Sequence, residues 1–540
     1  MSAEDLAGVA RGLARGGFML FVGEFLSTIL LALAAILMAR LLGPGGYGLY
    51  TLALVIPNLT VNLIGLGMDF AAARFPARFR AEGKPWAAIA IIRSITIFKS
   101  LIALTVSLTC LAFADQLASI ALNRPDAGGY LRLGLAFVVF QAIWSLLYYA
   151  FTGLDEAEKS ALVKISAASI KVVAAPLLIV LGYGVVGAIM GHYLGITIAA
   201  VTGIILLLRS RKRLRLNAVK ESFGKSSLGQ ELKLILSYGL PLYLATAITI
   251  LIGQLRFIFL AYNVPDRDIG GFQAALNFQA IFLVFLTPII TSLLPAFSKL
   301  SSNDEGRGVD LLFNLSVRYS SLLMVPLSVA VMILSPQLME IIYGHEYLWA
   351  ATYLTLYATI FLYVGLGYGT LGSLFNGVGE TGLTLRLNLV NLLVFLPMAY
   401  ALTSRLGVVG LLVSTLLSNL ISSIYGLSVA WRRLGVRLRI RGLYKIYLSA
   451  LMASIPSILI SKLTRLPSPI ILLAGGATYL ITYFMALTIL RSVSRMDLEN
   501  LEKAFSGMPL ISSMTSVLVR VELRLLEILY GKEDHQYREI

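Results

Sequence analysis

Apolar residues in this chain fall into long runs between Phe18 and Leu490, and polar residues collect in the short links that separate them. A helix of about 20 apolar residues crosses a hydrocarbon core of about 30 Å, and Gly or Pro inside such a helix is tolerated because its neighbours re-satisfy the backbone. Splitting the runs at polar and Gly/Pro breaks predicts about fourteen spans. They fall near residues 18–38, 48–68, 88–112, 130–152, 161–181, 184–208, 234–260, 271–297, 311–334, 350–375, 383–403, 407–431, 443–463 and 468–490. The expected fold class is an all-α integral membrane protein. The first run follows Arg11 and Arg15, as a signal peptide would, but it is too long for an h-region and more spans follow, so it reads as an uncleaved first helix.

Composition agrees with a bilayer environment. At 540 residues, with 58% hydrophobic and 13% charged, the chain has too few polar groups to cover its apolar surface in water. The net charge of +16 does not point to nucleic acid, because the basic residues lie in links rather than on one face with interleaved aromatics. Alternate links hold Arg74, Arg78, Arg80 and Lys84, then Lys159 and Lys164, then Arg209 to Lys225, then Lys299 and Arg307, and later Arg432 to Lys445; the links between those hold little beyond Arg40, Arg124, Arg267, Arg405, Lys462 and Arg465. Lys and Arg are retained on the cytoplasmic side, so both termini are expected inside a multi-pass protein of the cell (plasma/inner) membrane. Cys110 is the single cysteine, and His192, His345 and His535 are scattered, so neither an intrachain disulfide nor a metal site is expected. Gly224-Lys225-Ser226 resembles the end of a P-loop, but the first glycine of that motif would fall at Val219. With no paired carboxylates or nucleophile elbow in a link, the chain is expected to be no enzyme and to hold no cofactor.

An internal repeat organises the spans. Phe151-Thr152-Gly153-Leu154 followed by Gly184-Val185-Val186-Gly187 matches Phe375-Asn376-Gly377-Val378 followed by Gly407-Val408-Val409-Gly410. Two six-helix units of like orientation follow, related by an axis along the membrane normal with a cavity between them. The predicted organisation is an N-lobe over 1–209, a basic cytoplasmic linker over 210–233, a C-lobe over 234–431, two further helices over 432–490 and a cytoplasmic tail over 491–540. Apolar residues at helical spacing between Asp497 and Tyr530 predict an amphipathic surface helix in that tail. Gly187, Gly191 and Gly195 form a small-residue ridge suited to close helix packing.

The stretch Ala39-Arg40-Leu41-Leu42-Gly43-Pro44-Gly45-Gly46-Tyr47-Gly48-Leu49-Tyr50, continuing to Leu66-Gly67-Met68-Asp69, resembles the first helical hairpin of the polysaccharide and oligosaccharide flippases. These belong to the MOP exporter superfamily, with its multidrug/toxin extruders and peptidoglycan-lipid flippases. Phe375-Asn376-Gly377 and Gly407-Val408-Val409-Gly410 are similar to the same family. The resemblance implies alternating access between two lobes and a lipid-linked oligosaccharide on an isoprenoid phosphate or diphosphate carrier as substrate. It departs from the peptidoglycan-lipid branch in the first span, where Glu24 is the only charge.

Charges in mid-span cost at least about 2.5–3.5 kcal/mol on insertion scales, so each requires a partner, a route to the interface or a wet cavity. Such residues are Glu24, Asp69, Lys99, Lys171, Arg256 and Arg318. Arg256 leads the substrate-binding candidates because it shares a helical stripe with Thr249 and Gly253; Lys171 follows, then Glu24 and Arg318. Fixed cations in a basic, wet chamber would lower the cost of carrying a lipid phosphate. Asn58 with Asn62 and Gln273 with Asn277, each at i, i+4, are candidates for a sugar path. Glu24 and Asp69 are candidates for coupling to a proton or sodium gradient. The structural alternative pairs Glu24 with Arg256 or Lys171, sends Asp69 and Lys99 to the interface, and gives the amides to neighbouring helices. Tyr343, Tyr347, Trp349, Tyr353 and Tyr357 suggest either an interfacial belt or a surface for stacking sugars. His192 is expected to be hydrogen-bonded within the bundle, with a proton relay as the alternative. Expected partners are the lipid-linked oligosaccharide, membrane lipids and enzymes of polysaccharide or glycan assembly, without nucleic acid. Rival functions are a multidrug or small-molecule extruder and a membrane-embedded glycosyltransferase or polymerase.

Overall fold

The computed structural model describes residues 3–213, 228–302, 306–464 and 466–493, with Arg520 and Arg524. Most of the 210–233 linker, its Gly224-Lys225-Ser226 segment, the tail helix apart from those two arginines, and His535 lie outside the described residues. Among the described residues all regular structure is helical. The first half comprises α1 (Ala3–Gly65), α2 (Met68–Ala81), α3 (Pro85–Ala112), α4 (Ala114–Leu122), α5 (Gly128–Ala136), α6 (Val138–Gly153), α7 (Ala157–Leu178) and α8 (Gly184–Arg213). The rest comprises α9 (Leu228–Asn263), α10 (Asp266–Asn277), α11 (Gln279–Ser302), α12 (Gly306–Ile333), α13 (Ser335–Tyr343), α14 (Ala351–Ala358), α15 (Thr370–Gly377), α16 (Thr381–Leu434), α17 (Ile440–Leu463) and α18 (Ser468–Ile489).

Ten helices among the described residues are long and apolar enough to cross a membrane, or eleven if the bent pair Pro125–Ala136 and Val138–Gly153 forms one span. That is fewer than the fourteen expected, because Gly17–Gly65, Ala157–Ser210 and Thr381–Leu434, of 49, 54 and 54 residues, each run through two predicted spans. A glycine of positive φ marks the break in each: Gly43 (φ 66), Gly184 (φ 50, ψ −130) and Gly407 (φ 57, ψ −134). Gly184 and Gly407 are the two copies of one repeat position, and they share a backbone conformation that a Cβ would obstruct. The predicted 350–375 span is broken as well. Gly367 (φ 79) and Gly369 (φ 84) end a 3₁₀ segment over Thr359–Leu366 before α15 begins.

Large apolar side chains point outward along the helices, including Val173, Val180, Leu451, Ile455, Leu473 and Ile481, each more than half exposed. Such a surface is stable against lipid, where packing rather than exclusion of water holds helices together and small residues let them approach. The Gly187, Gly191 and Gly195 ridge of α8 behaves in this way: a Cβ added at these positions would meet Leu178, Ala175 and Ala167 of α7.

The chain divides into two compact units, Met1–Asn277 with Thr403–Leu411, and Phe278–Leu402 with Leu412–Ile540. In the second unit, Tyr343, Tyr347 and Tyr357 are buried and Phe282 stacks on Phe361 at 3.9 Å. These three tyrosines are therefore core residues and not an interfacial belt: Tyr343 packs on Tyr347 and Phe278, and Tyr357 on Phe361. In the same unit α17 and α18 pack against each other, with Ser457 Oγ donating to the Gly475 carbonyl at 3.0 Å.

Candidate functional site

The first unit encloses a cavity of about 330 Å³ whose wall draws on five helices. The second half of α1 contributes Val61, Asn62 and Gly65, and α2 contributes Asp69 and Phe70. Gln141, Trp144, Ser145, Tyr148 and Tyr149 come from α6, Lys164 from α7, and Tyr243, Thr246 and Ile250 from α9. Local geometry explains the placement. Leu66 (φ 40) and Gly67 (φ 79) break the chain between α1 and α2, so Asp69 enters the first turn of a new helix, where its charge faces the positive end of the peptide dipoles. Gly67 lies against Gly239 of α9, and a Cβ on either would overlap the backbone of the other, so this glycine pair brings α9 to the wall. On α6 the spacing of Gln141, Ser145 and Tyr148, with Trp144 beside them, puts polar and aromatic groups on one helical face.

Two ion pairs reach the wall. Lys99, 1% exposed, donates from α3 to Asp69 Oδ1 at 2.6 Å and to Ser145 Oγ at 2.8 Å. Asp69 is 22% exposed and lines the cavity. Lys164 pairs with Glu24 of α1, and its ammonium lies 5.3 Å from the centre of the Tyr148 ring. Glu24 is 53% exposed, and Ser27 and Thr28 donate to its backbone carbonyl at 2.9 and 2.8 Å, leaving its carboxylate to Lys164. A charge within an apolar segment requires a partner, and Glu24 has one in Lys164, which stands on the cavity wall.

The other sequence candidates occupy varied positions. Asn62 is on the wall and donates to the Asn58 carbonyl at 2.8 Å, while Asn58 Oδ1 accepts from Gln141 at 3.0 Å. Gln273 donates to Asn277 at 2.8 Å, and Asn277 donates to the Tyr47 hydroxyl at 3.0 Å, so this amide pair ties α10 to α1. Arg318 donates to the Ser492 carbonyl at 3.1 Å in the second unit. Lys171 lies 6.0 Å from the centre of the Tyr50 ring, and neither it nor Arg256 is on the wall of this cavity. Arg256 Nε is buried without a hydrogen-bond partner.

Three expectations are corrected. Glu24 pairs with Lys164 and not with Arg256 or Lys171, because Gly23 of α1 seats directly on Ala161 of α7 and brings Lys164, one turn on, beside it. Asp69 and Lys99 pair with each other inside the protein instead of reaching the interface. His192 has no hydrogen-bond partner on either ring nitrogen; Tyr193 and Tyr50, at ring distances of 4.9 and 6.4 Å, enclose it edgewise. The wall also carries one lysine and one aspartate, so this cavity is not the basic chamber expected. Sequence reasoning missed Gln141, Trp144, Ser145, Tyr148, Tyr149, Tyr243 and Thr246, although the aromatic and polar stripe along the 130–152 span was readable as one face.

Comparisons with known proteins agree with this architecture. The family described as "Polysaccharide biosynthesis protein" matches residues 13–301, more than half of the chain, and a second described as "MatE" matches residues 241–401. The probable low-salt glycan biosynthesis flippase Agl15 of Haloferax volcanii is 22% identical over 161 residues, which are 30% of this chain and 34% of that protein. The match thus spans about a third of the relative's length. Among solved structures, the lipid II flippase MurJ in an inward closed conformation superposes with a TM-score of 0.70 at 16% identity, covering 88% of this chain and 99% of that one. An inward-facing multidrug resistance MATE family transporter of the MOP superfamily gives 0.62 at 16% identity, covering 76% and 94%. At such identities the likeness is one of fold: an all-α, multi-pass membrane architecture.

Proposed function

The chain belongs to the polysaccharide biosynthesis protein family, and on that premise we propose that it flips a lipid-linked oligosaccharide from the cytoplasmic to the outer leaflet by alternating access. The observation that carries this reading is the cavity wall, where Trp144, Tyr148, Tyr149, Tyr243 and Phe70 stand among Asn62, Gln141, Ser145, Thr246 and Asp69. Flat aromatic faces suit the apolar faces of sugar rings, and amide, hydroxyl and carboxylate groups suit their hydroxyls. Lys164 supplies a cation. A cavity of about 330 Å³ falls at the lower end of the usual range for small-ligand pockets, about 300–1,000 Å³, and so suits a headgroup rather than a whole glycolipid. The carrier's apolar tail would remain in the bilayer.

In this reading two repeated lobes rock about the bound saccharide, both termini are cytoplasmic in the plasma membrane, and the product passes to glycan assembly enzymes outside. The chain transports rather than catalyses, as the flippase and transporter character of its relatives supports. A proton or sodium gradient is the proposed energy source, with Glu24 and Asp69 as the acidic groups available to it. Arg256, off the cavity wall with its Nε unpaired, is retained as the contact for the carrier phosphate. The test is flipping of a fluorescent lipid-linked saccharide in proteoliposomes. Trp144→Ala and Tyr148→Ala are expected to slow it about tenfold, equivalent to about 1.4 kcal/mol each, and Arg256→Ala to abolish it. Wild-type rates in all three variants, at equal protein incorporation, reject the reading.

A further inference from the structure

Two cations approach the cavity, and only one of them is free to exchange its partner. Lys99 is enclosed, with Asp69 and Ser145 taking up its ammonium. Lys164 lines the cavity and is held by Glu24, whose side chain is 53% exposed. Glu24 can therefore move off Lys164 without itself becoming a buried unpaired charge, whereas Asp69 cannot leave the enclosed Lys99. Tyr148 stands beside Lys164, its ring 5.3 Å from the ammonium, so an anion arriving there would meet an aromatic face and a cation together.

We propose that Glu24 is an internal counter-ion that an anionic group of the ligand displaces from Lys164, so that the cavity selects saccharides carrying a negative charge at this point. The inference rests on the cavity's being the substrate chamber. An anion attached to a sugar ring, as in a uronic acid, and a phosphate of the carrier both have the required chemistry: oxygen acceptors that replace the Glu24 carboxylate on the Lys164 ammonium. The neutral part of the saccharide lies against Trp144, Tyr148 and Tyr149, and the fixed Asp69 carboxylate accepts from its hydroxyls.

The test uses the full chain in detergent, with quenching of Trp144 fluorescence as the readout and Trp144→Phe as the blank. Glucuronate, inorganic phosphate and glucose are titrated into wild type, Glu24→Gln and Lys164→Gln. Wild type is expected to bind one of the two anions about tenfold more tightly than glucose. Glu24→Gln is expected to tighten anion binding severalfold with glucose unchanged, because the internal competitor is gone. Lys164→Gln is expected to remove the anion preference. Preference for glucuronate identifies an acidic sugar as the source of the charge, and preference for phosphate identifies the carrier. Equal affinity for all three, or weaker anion binding in Glu24→Gln, overturns the proposal. Flipping in proteoliposomes separates it from the broader reading: anion exchange without any flipping by wild type rejects the flippase function alone, while flipping with no Glu24 or Lys164 effect on anion binding rejects the exchange alone.

Discussion

Lys99 and Lys164 each meet a carboxylate beside the same cavity, yet the side chain of the first is 1% exposed and that of the second 22%. Burial sets what each pair can do. For the enclosed Lys99, removing the partner leaves an uncompensated charge, which costs about 3–5 kcal/mol. For the exposed Lys164–Glu24 pair, Coulomb attraction is screened and side-chain entropy opposes it, so its net contribution is about 0–1 kcal/mol. One pair is therefore a structural fixture that holds α2, α3 and α6 together, and the other is a labile contact between α1 and α7. Two lysine–carboxylate pairs beside one cavity serve opposite ends because one lysine is sealed behind the wall and the other stands on it.

The largest effect expected from breaking this contrast is in Asp69→Ala. It should destabilise the protein by about 3–5 kcal/mol in thermal or denaturant unfolding in detergent, and adding Lys99→Met should recover most of the loss. A loss under 1 kcal/mol in the single variant would show that Lys99 reaches water. Ser145→Ala removes one acceptor from the same ammonium and should cost about 1.5–3 kcal/mol by the same measurement. Lys164→Gln should change stability by no more than about 1 kcal/mol while lowering the flipping rate, an inversion of the Asp69 result. The smallest effect is that of salt. Raising ionic strength from about 0.1 M to about 1 M shortens the Debye length from about 10 Å to about 3 Å, so it should weaken the Lys164–Glu24 coupling measured by a double-mutant cycle and leave that of Lys99–Asp69 nearly unchanged.

Much of the scaffold was legible in the sequence for reasons that are local. Apolar runs of bilayer length must become helices, since lipid leaves backbone groups no other partner. Gly184 and Gly407 stood out as a repeated pair, and both occupy the same positive-φ break. The small-residue ridge of α8 was readable because helices approach closely where residues such as Gly and Ala recur every four positions. The site was less legible. Asn62 and Asp69 line the cavity as candidates from the sequence, but the aromatic wall on α6 was passed over in favour of the tyrosines near residue 350, which fold into a core.

By itself, then, the sequence determined that this protein lives in a bilayer, roughly where its helices lie and that they break at the repeated Gly184 and Gly407, because those properties depend on hydropathy and backbone sterics within a few residues. Only the tertiary structure decided which charge meets which. Lys164 and Glu24 are 140 residues apart in the chain, Lys99 and Asp69 are 30, and Gln141 and Asn58 are 83. Pairing at such separations is set by the rotation of each helix about its own axis and by the small residues that let two helices approach. A turn of about 100° per residue carries a side chain from a cavity wall to lipid, and no property of the isolated helix fixes that angle.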